Sequence, residues 1–183
     1  DFQIVSGAAG VNQINNTTLS TQLAGGNVVI STSDTSASDP GTITVEANAG
    51  VSWSTGTTLT LLAHQDIDIY SSIQNNGNGG ILLVAGWDGT THDPGATIGS
   101  GSFLPGDFPF ASYGARNGTV TISGSNGGVS VGSKAGFTHV SAHGLNLLGA
   151  TTAGGRYAQL GYAPTAAGAV TGSISANLKE GGL

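Results

Sequence analysis

The sequence predicts an all-β parallel β-helix, a solenoid of short stacked strands with one long loop insertion. Three observations point there. First, short β-rich runs recur over residues 25–86, namely NVVIS, GTITVEA, TLTLLA, DIDIYSSI and GILLVAG, each cut off by Gly, Asn, Ser or Asp. Each is too short to bury a face alone and must stack on another of its kind. Second, the runs alternate, so that in Thr42–Val45 the aliphatic Ile43 and Val45 point one way and the threonines the other. Third, only 8% of the 183 residues are charged, against about 25% in an ordinary domain, while 38% are hydrophobic and 32 are Gly. Such a chain can build a core of Val, Ile, Leu and Ala joined by tight turns. No convincing amphipathic helix is visible, and negligible α-helix is expected.

Taken in order, strands are expected at Phe2–Val5, 28–31, 42–45, 58–61, 66–69, 81–85, 119–122, 129–131, 138–141, 145–148, 157–160 and 173–178. Four of them share one pattern, with Ile43/Val45, Leu59/Leu61, Ile67/Ile69 and Val120/Ile122 inward and a polar pair outward. A β-sandwich would join neighbours by two-residue hairpins, whereas the connections here are irregular. At about 20 residues per turn of the solenoid, the whole chain, 1–183, makes one domain of roughly eight turns, about 40 Å long.

Residues 87–117, WDGTTHDPGATIGSGSFLPGDFPFASYGARN, break the rhythm. They hold Pro94, Pro105 and Pro109 together with Phe103, Phe108 and Phe110. A loop this long in a compact fold is either functional or packed on a flank. The plain reading is a side loop whose aromatics cover one face. The sharper one is a lateral contact for a partner or a neighbouring copy, through Trp87, Phe103, Phe108, Phe110 and Tyr113.

The net charge of −6, with only Arg116, Lys134, Arg156 and Lys179 basic, offers no stripe to neutralise phosphates and excludes nucleic acid as a partner. An anionic membrane surface is disfavoured for the same reason. No apolar run reaches the roughly 18 residues of a spanning helix. Cys and Met are both absent, as is a signal peptide, so a processed form or a piece of something longer is expected.

The run from Asn27 to Gly86 resembles the repeat region of filamentous-haemagglutinin-like exoproteins, the large passengers of two-partner secretion. The elements that carry the resemblance are Ile43–Val45, Val51–Trp53, Leu59–Ala63, Asp66–Ile69, Ile73 and Ile81–Gly86, with a later echo in Arg156–Gly161 and Gly172–Ser175. The resemblance implies a right-handed parallel β-helix. It also implies a secreted or cell-surface bacterial protein that acts as an adhesin, a filament component or the carrier of a terminal toxin; no toxin domain is recognisable, and a non-catalytic role bound to a host or cell-surface glycan or protein is expected. It implies no cofactor.

Other chemistries have residues that suggest them. Asp66 and Asp68 share one face, as a carboxylate pair of a polysaccharide-active enzyme would, but no basic side chain lies nearby to hold an acidic substrate, and solvated carboxylates are expected. His139 and His143 are four apart on a strand, without the helical geometry of a zinc site, and His64 and His92 stand alone in sequence. The loops at Asp34 and Asp39 and at Asp88 and Asp93 could offer oxygens to Ca²⁺, without the repeated glycine-aspartate pattern of such sites. Asn15, Asn16 and Asn117 open glycosylation triplets. The outward pairs Thr42/Thr44, Thr58/Thr60 and Thr119/Thr121 raise ice binding, against which their irregular spacing argues.

A solenoid exposes strand edges at both ends, and neither terminus reads as a capping helix. Bare edges are therefore expected at Phe2–Val5 and near Ile174–Leu178. Through Phe2, Ile4, Val5, Ile174 and Leu178 the unit would stack end to end with copies of itself or continue a longer chain.

Overall fold

The computed structural model describes residues 1–33, 39–108, 117–125, 127–150, 156–163 and 169–179. The alternating runs form strands because β-branched and Leu side chains fit a pleated surface with one buried face. They are β1 (Phe2–Val5), β2 (Gln13–Asn15), β3 (Val28–Ser31), β4 (Ile43–Val45), β5 (Val51–Trp53), β6 (Leu59–Ala63), β7 (Ile67–Ile69), β8 (Ile73–Asn75) and β9 (Ile81–Ala85). After these come β10 (Ile98–Gly99), β11 (Thr119–Ser123), β12 (Val129–Ser133), β13 (Phe137–Ala142), β14 (Gly144–Leu148), β15 (Ala158–Leu160) and β16 (Ser173–Leu178).

The strands lie in three sheets. The first runs β2-β1-β4-β7-β11-β14, the second β10-β3-β6-β9-β13-β16 and the third β5-β8-β12-β15. From β4 onward, β10 apart, the chain visits first, third and second sheet in turn, so each strand meets its next partner only after strands of both other sheets have intervened. All the pairs are parallel except β10 with β3. Parallel pairing requires such crossovers, because a tight hairpin can only return antiparallel.

The register is set by burial. Ile43 stands beside Ile67 and Ile67 beside Val120; Leu59 stands beside Ile81, which stands beside Thr138. The four inward pairs expected from the alternation are all fully buried. A slip of one residue would turn each of these rows to solvent. At about 1.5–3 kcal/mol for each fully buried Ile, Leu or Val, the rows dominate the stability.

Three expectations are corrected. Among the described residues the sheets hold six, six and four strands rather than eight levels, because residues 87–108 add only the two-residue β10 to a ladder. A helix is also present, α1 (Asn16–Gly25). It carries only two buried apolar side chains, Leu19 and Leu23, which is too few to register as an amphipathic stripe. It starts where the Asn15 side chain accepts the backbone N–H groups of Thr17 and Thr18, at 2.8 and 3.2 Å.

Finally, the helix is a cap. It lies on β5, the outermost strand of the third sheet. Asn16 Nδ2 donates to the Gly50 carbonyl at 2.7 Å, Ser20 Oγ accepts the Ser52 N–H at 3.2 Å, and Thr55 Oγ1 donates to the Leu23 carbonyl at 2.9 Å. Leu19 and Leu23 then close the apolar interior from above.

The insertion leaves and re-enters the sheets at one point. A Cβ on Gly118 would fall 2.1 Å from the Gly86 nitrogen, so only glycine allows the two ends of the loop to meet. Between them, residues 87–108 fold back over the outer face of the second sheet. There Trp87 and Phe108 are buried against Val29, Leu62, Leu82 and Val84, with Phe103 and Phe137 packed alongside.

Candidate functional site: two ends and a covered face

At the N-terminal end β1 is an interior strand, paired with β2 on one side and β4 on the other. Phe2 and Ile4 are 3% and 0% exposed and belong to the core. The expected bare edge at Phe2, Ile4 and Val5 is thus corrected. The chain doubles back through β2 and α1, and that return covers the end. Asp1 binds in place as well. Its amino group pairs with Asp39, and its carboxylate accepts the Thr42 N–H at 2.8 Å. The edge of β3 is covered by β10, which pairs with it antiparallel, and the Ser31 N–H donates to the Thr97 carbonyl at 2.8 Å.

The C-terminal end is different. β14, β15 and β16 are each last in their sheet. Leu147, Ile174 and Leu178 lie in register with Ile122, Thr138 and Ala142 and so face the same interior. Yet they are 46%, 55% and 42% exposed. Together with Leu145, Ala158 and Leu160, which pack against the core, they form an apolar layer that no described residue covers.

Of the lateral contacts expected from the insertion, Trp87, Phe103 and Phe108 turn toward the second sheet rather than outward. Trp87 and Phe108 are buried, and Phe103 packs against them. Burying three aromatic rings on an apolar sheet face is worth more than leaving them in water. Phe110 and Tyr113 lie outside the described residues.

Asp66 and Asp68 stand on the outer face of the first sheet, where Gln13, Gln3, Thr44, Asp68, Thr121 and Asn146 form one row across six strands. Asp66 accepts the Thr119 N–H at 2.7 Å and so serves the ladder to the next strand. Burial and then the neighbouring Asp66 charge raise the Asp68 carboxyl above its ordinary value, opposed by a hydrogen bond from Thr121. Thr42/Thr44 and Thr119/Thr121 share this face with the two aspartates between them. Thr58/Thr60 lie on the second sheet and are buried.

Among the described residues no three His, Cys, Asp or Glu side chains converge as a metal set. Burial pushes the Asp88 carboxyl up, but hydrogen bonds from Thr91 and Thr90 outweigh it and hold the group below its ordinary value. Asp93 accepts the Gly95 N–H at 2.9 Å. Both are turn caps. Asp39 pairs with the chain terminus, and Asp34 lies outside the described residues. The Asn15 and Asn16 amides donate to the Gly7 and Gly50 carbonyls at 2.8 and 2.7 Å, which ties both triplets into the cap; Asn117 is exposed.

Three positioning elements escaped the sequence. One is α1, whose signal is an Asn-Thr-Thr start followed by Leu19 and Leu23. Another is β10, two residues long. The third is Asn75, fully buried at the end of β8, which accepts the Gly77 and Gly79 N–H groups at 2.9 and 3.0 Å and donates to the Thr55 carbonyl at 2.9 Å.

No protein-family model, curated protein or solved structure matches this chain. Among the described residues, no helix is long and apolar enough to cross a membrane.

Proposed function

We propose that the three sheets wind as one right-handed parallel β-helix, and that this unit is a structural and adhesive element of a bacterial exoprotein, secreted or held at the cell surface, without catalysis of its own. The resemblance of Asn27–Gly86 to filamentous-haemagglutinin-like repeats supports the reading, as does the cyclic visiting of the sheets. The observation that carries it is the asymmetry of the ends. One end is closed by α1, β2 and β10. The other presents three strand edges, around Leu147, Ile174 and Leu178, that no described residue pairs with. Such an end accepts further strands, from more of the same chain or from another copy. Growth therefore has one direction, and simple head-to-tail stacking of identical units is replaced by extension from the C-terminal end.

A polysaccharide-active alternative would use Asp66 and Asp68, but Asp66 is engaged with the Thr119 backbone. Glycan binding without turnover fits the uncovered outer face of the first sheet.

The test is sedimentation and electron microscopy of the chain beside an Ile174→Lys, Leu178→Lys double variant. Concentration-dependent association is expected for the parent and its loss in the variant. A parent that stays monomeric at high concentration, or a variant that associates equally, overturns strand addition at this end. Glycan turnover that disappears in Asp66→Asn would overturn the non-catalytic reading.

A further inference from the structure

His64, His92 and His139 lie at or beside the cover formed by residues 87–108, and His143 lies where the insertion re-enters. His64 follows β6, with the Cβ position of Gly89 at 3.6 Å from its ring. His92 stacks within the cover, its ring 5.4 Å from Phe103 and 5.3 Å from Phe108, themselves 5.4 Å apart. The His143 N–H donates to the Gly118 carbonyl at 2.8 Å, where the insertion re-enters. His139 projects from the outer face of β13. It sits between Phe137, which packs against the aromatic cluster, and Ser141, whose hydroxyl donates to the Phe108 carbonyl at 3.3 Å.

We propose that residues 87–108 are an acid-released cover, and that protonation of His139 opens it to expose the apolar outer face of the second sheet. His139 is 3% exposed. Its Nδ1 pairs with Ser175 Oγ at 2.7 Å, while its Nε2 is buried with no hydrogen-bond partner. An imidazolium there would have a second N–H and a charge with nothing to receive them, an arrangement that buried groups avoid.

Among the described residues no opposite charge faces the ring. β9 presents Leu82 and β16 presents Ser175. In the cover, Asp88, Asp93 and Asp107 each accept backbone N–H groups of their own turns. Lys179 lies four residues past Ser175, beyond the end of β16. Burial accordingly holds the His139 imidazole below its ordinary value of 6.5.

The sign follows from linkage. The closed state binds fewer protons than an open one in which the ring meets water. Closure is therefore fully favoured above about pH 6.5 and weakens as the pH falls below it. The surface released is Val29, Leu62, Leu82 and Val84, with Trp87 and Phe108 leaving it.

The experiment is amide hydrogen exchange of the intact chain at about pH 7.5 and about pH 5, corrected for intrinsic rates, with an apolar dye as a second readout. At the lower pH, protection over residues 87–108 should fall at least tenfold and the dye should bind, while the strands of the first and third sheets keep their protection. His139→Gln, which keeps a polar side chain but cannot titrate in this range, should stay closed at both values. Unchanged protection in the parent, or acid opening that persists in His139→Gln, overturns the proposal. Should that variant not fold, the NMR titration of His139 in the parent decides. A midpoint below 6.5 that coincides with the loss of protection supports the cover as pH-operated, and a midpoint at or above 6.5 overturns it.

Discussion

At the N-terminal end of the sheets the outermost strands are β2, β5 and β10; at the other end they are β14, β15 and β16. Among the described residues, each set leaves one row of backbone groups without a strand partner. At the first end, α1 lies across β5, β2 is held by Gln13 Nε2 donating to Gln3 Oε1 at 2.6 Å, and β10 is itself the antiparallel cover of β3. At the second, Ile174 and Leu178 face the interior and meet no cover among the described residues. Identical strand chemistry thus gives a closed end and an open one. What differs is whether a short, non-repeating segment has been set aside to lie across the edge.

The sharpest way to break this comparison is to remove the interior of the closed end. Ile4→Ala should cost about 2–5 kcal/mol in urea unfolding, because it leaves a cavity between β2 and β4. Deleting Asp1–Gly7 should abolish cooperative unfolding, since it takes Phe2 and Ile4 out of the core. A truncated chain as stable as the parent would show that β1 is an edge after all.

Leu23→Ala comes next, at about 2–5 kcal/mol, with the lower part of that range expected because a helix on the rim can settle into the gap. If α1 is a cap, Leu23→Ala should also raise hydrogen exchange in β5 more than in β12. Equal change in both strands would deny the helix that role.

Asn15→Ala should cost about 1 kcal/mol by removing the helix N-cap, read as a shift of the urea midpoint with unchanged slope. The smallest effect belongs to the open end. Ile174→Ala should move stability by no more than about 0.5 kcal/mol, the range of exposed substitutions. A loss comparable to that of Ile4→Ala would mean that the end is covered in solution.

The strands were readable in advance because period-two alternation is a local signal that tertiary context rarely reverses when one face must be buried. Ile43/Val45, Leu59/Leu61, Ile67/Ile69 and Val120/Ile122 all lie inside as the pattern requires. α1 was hidden because its amphipathic content is two leucines, and most of its stability comes from packing on β5 rather than from propensity. The aromatics of residues 87–117 were conspicuous, but nothing local says that Trp87 and Phe108 turn inward. That choice depends on Val29, Leu62, Leu82 and Val84, contributed by three separate strands. The placing of His64 and His143 at the two margins of the insertion was equally invisible, since they are far apart in sequence.

By itself the sequence determined that this is a low-charge β protein of short, stacked strands, which faces point inward, and that residues 87–117 stand apart from the repeat. These are properties of residue type and spacing, acting over a few neighbours. Tertiary structure alone decided that β1 lies inside the first sheet, that α1 closes one end, and that residues 87–108 lie over the second sheet, with His139 on the same face between Phe137 and Ser141. Each of those outcomes turns on which distant surface a short segment finds to bury against, and burial energy depends on the partner surface as much as on the segment itself.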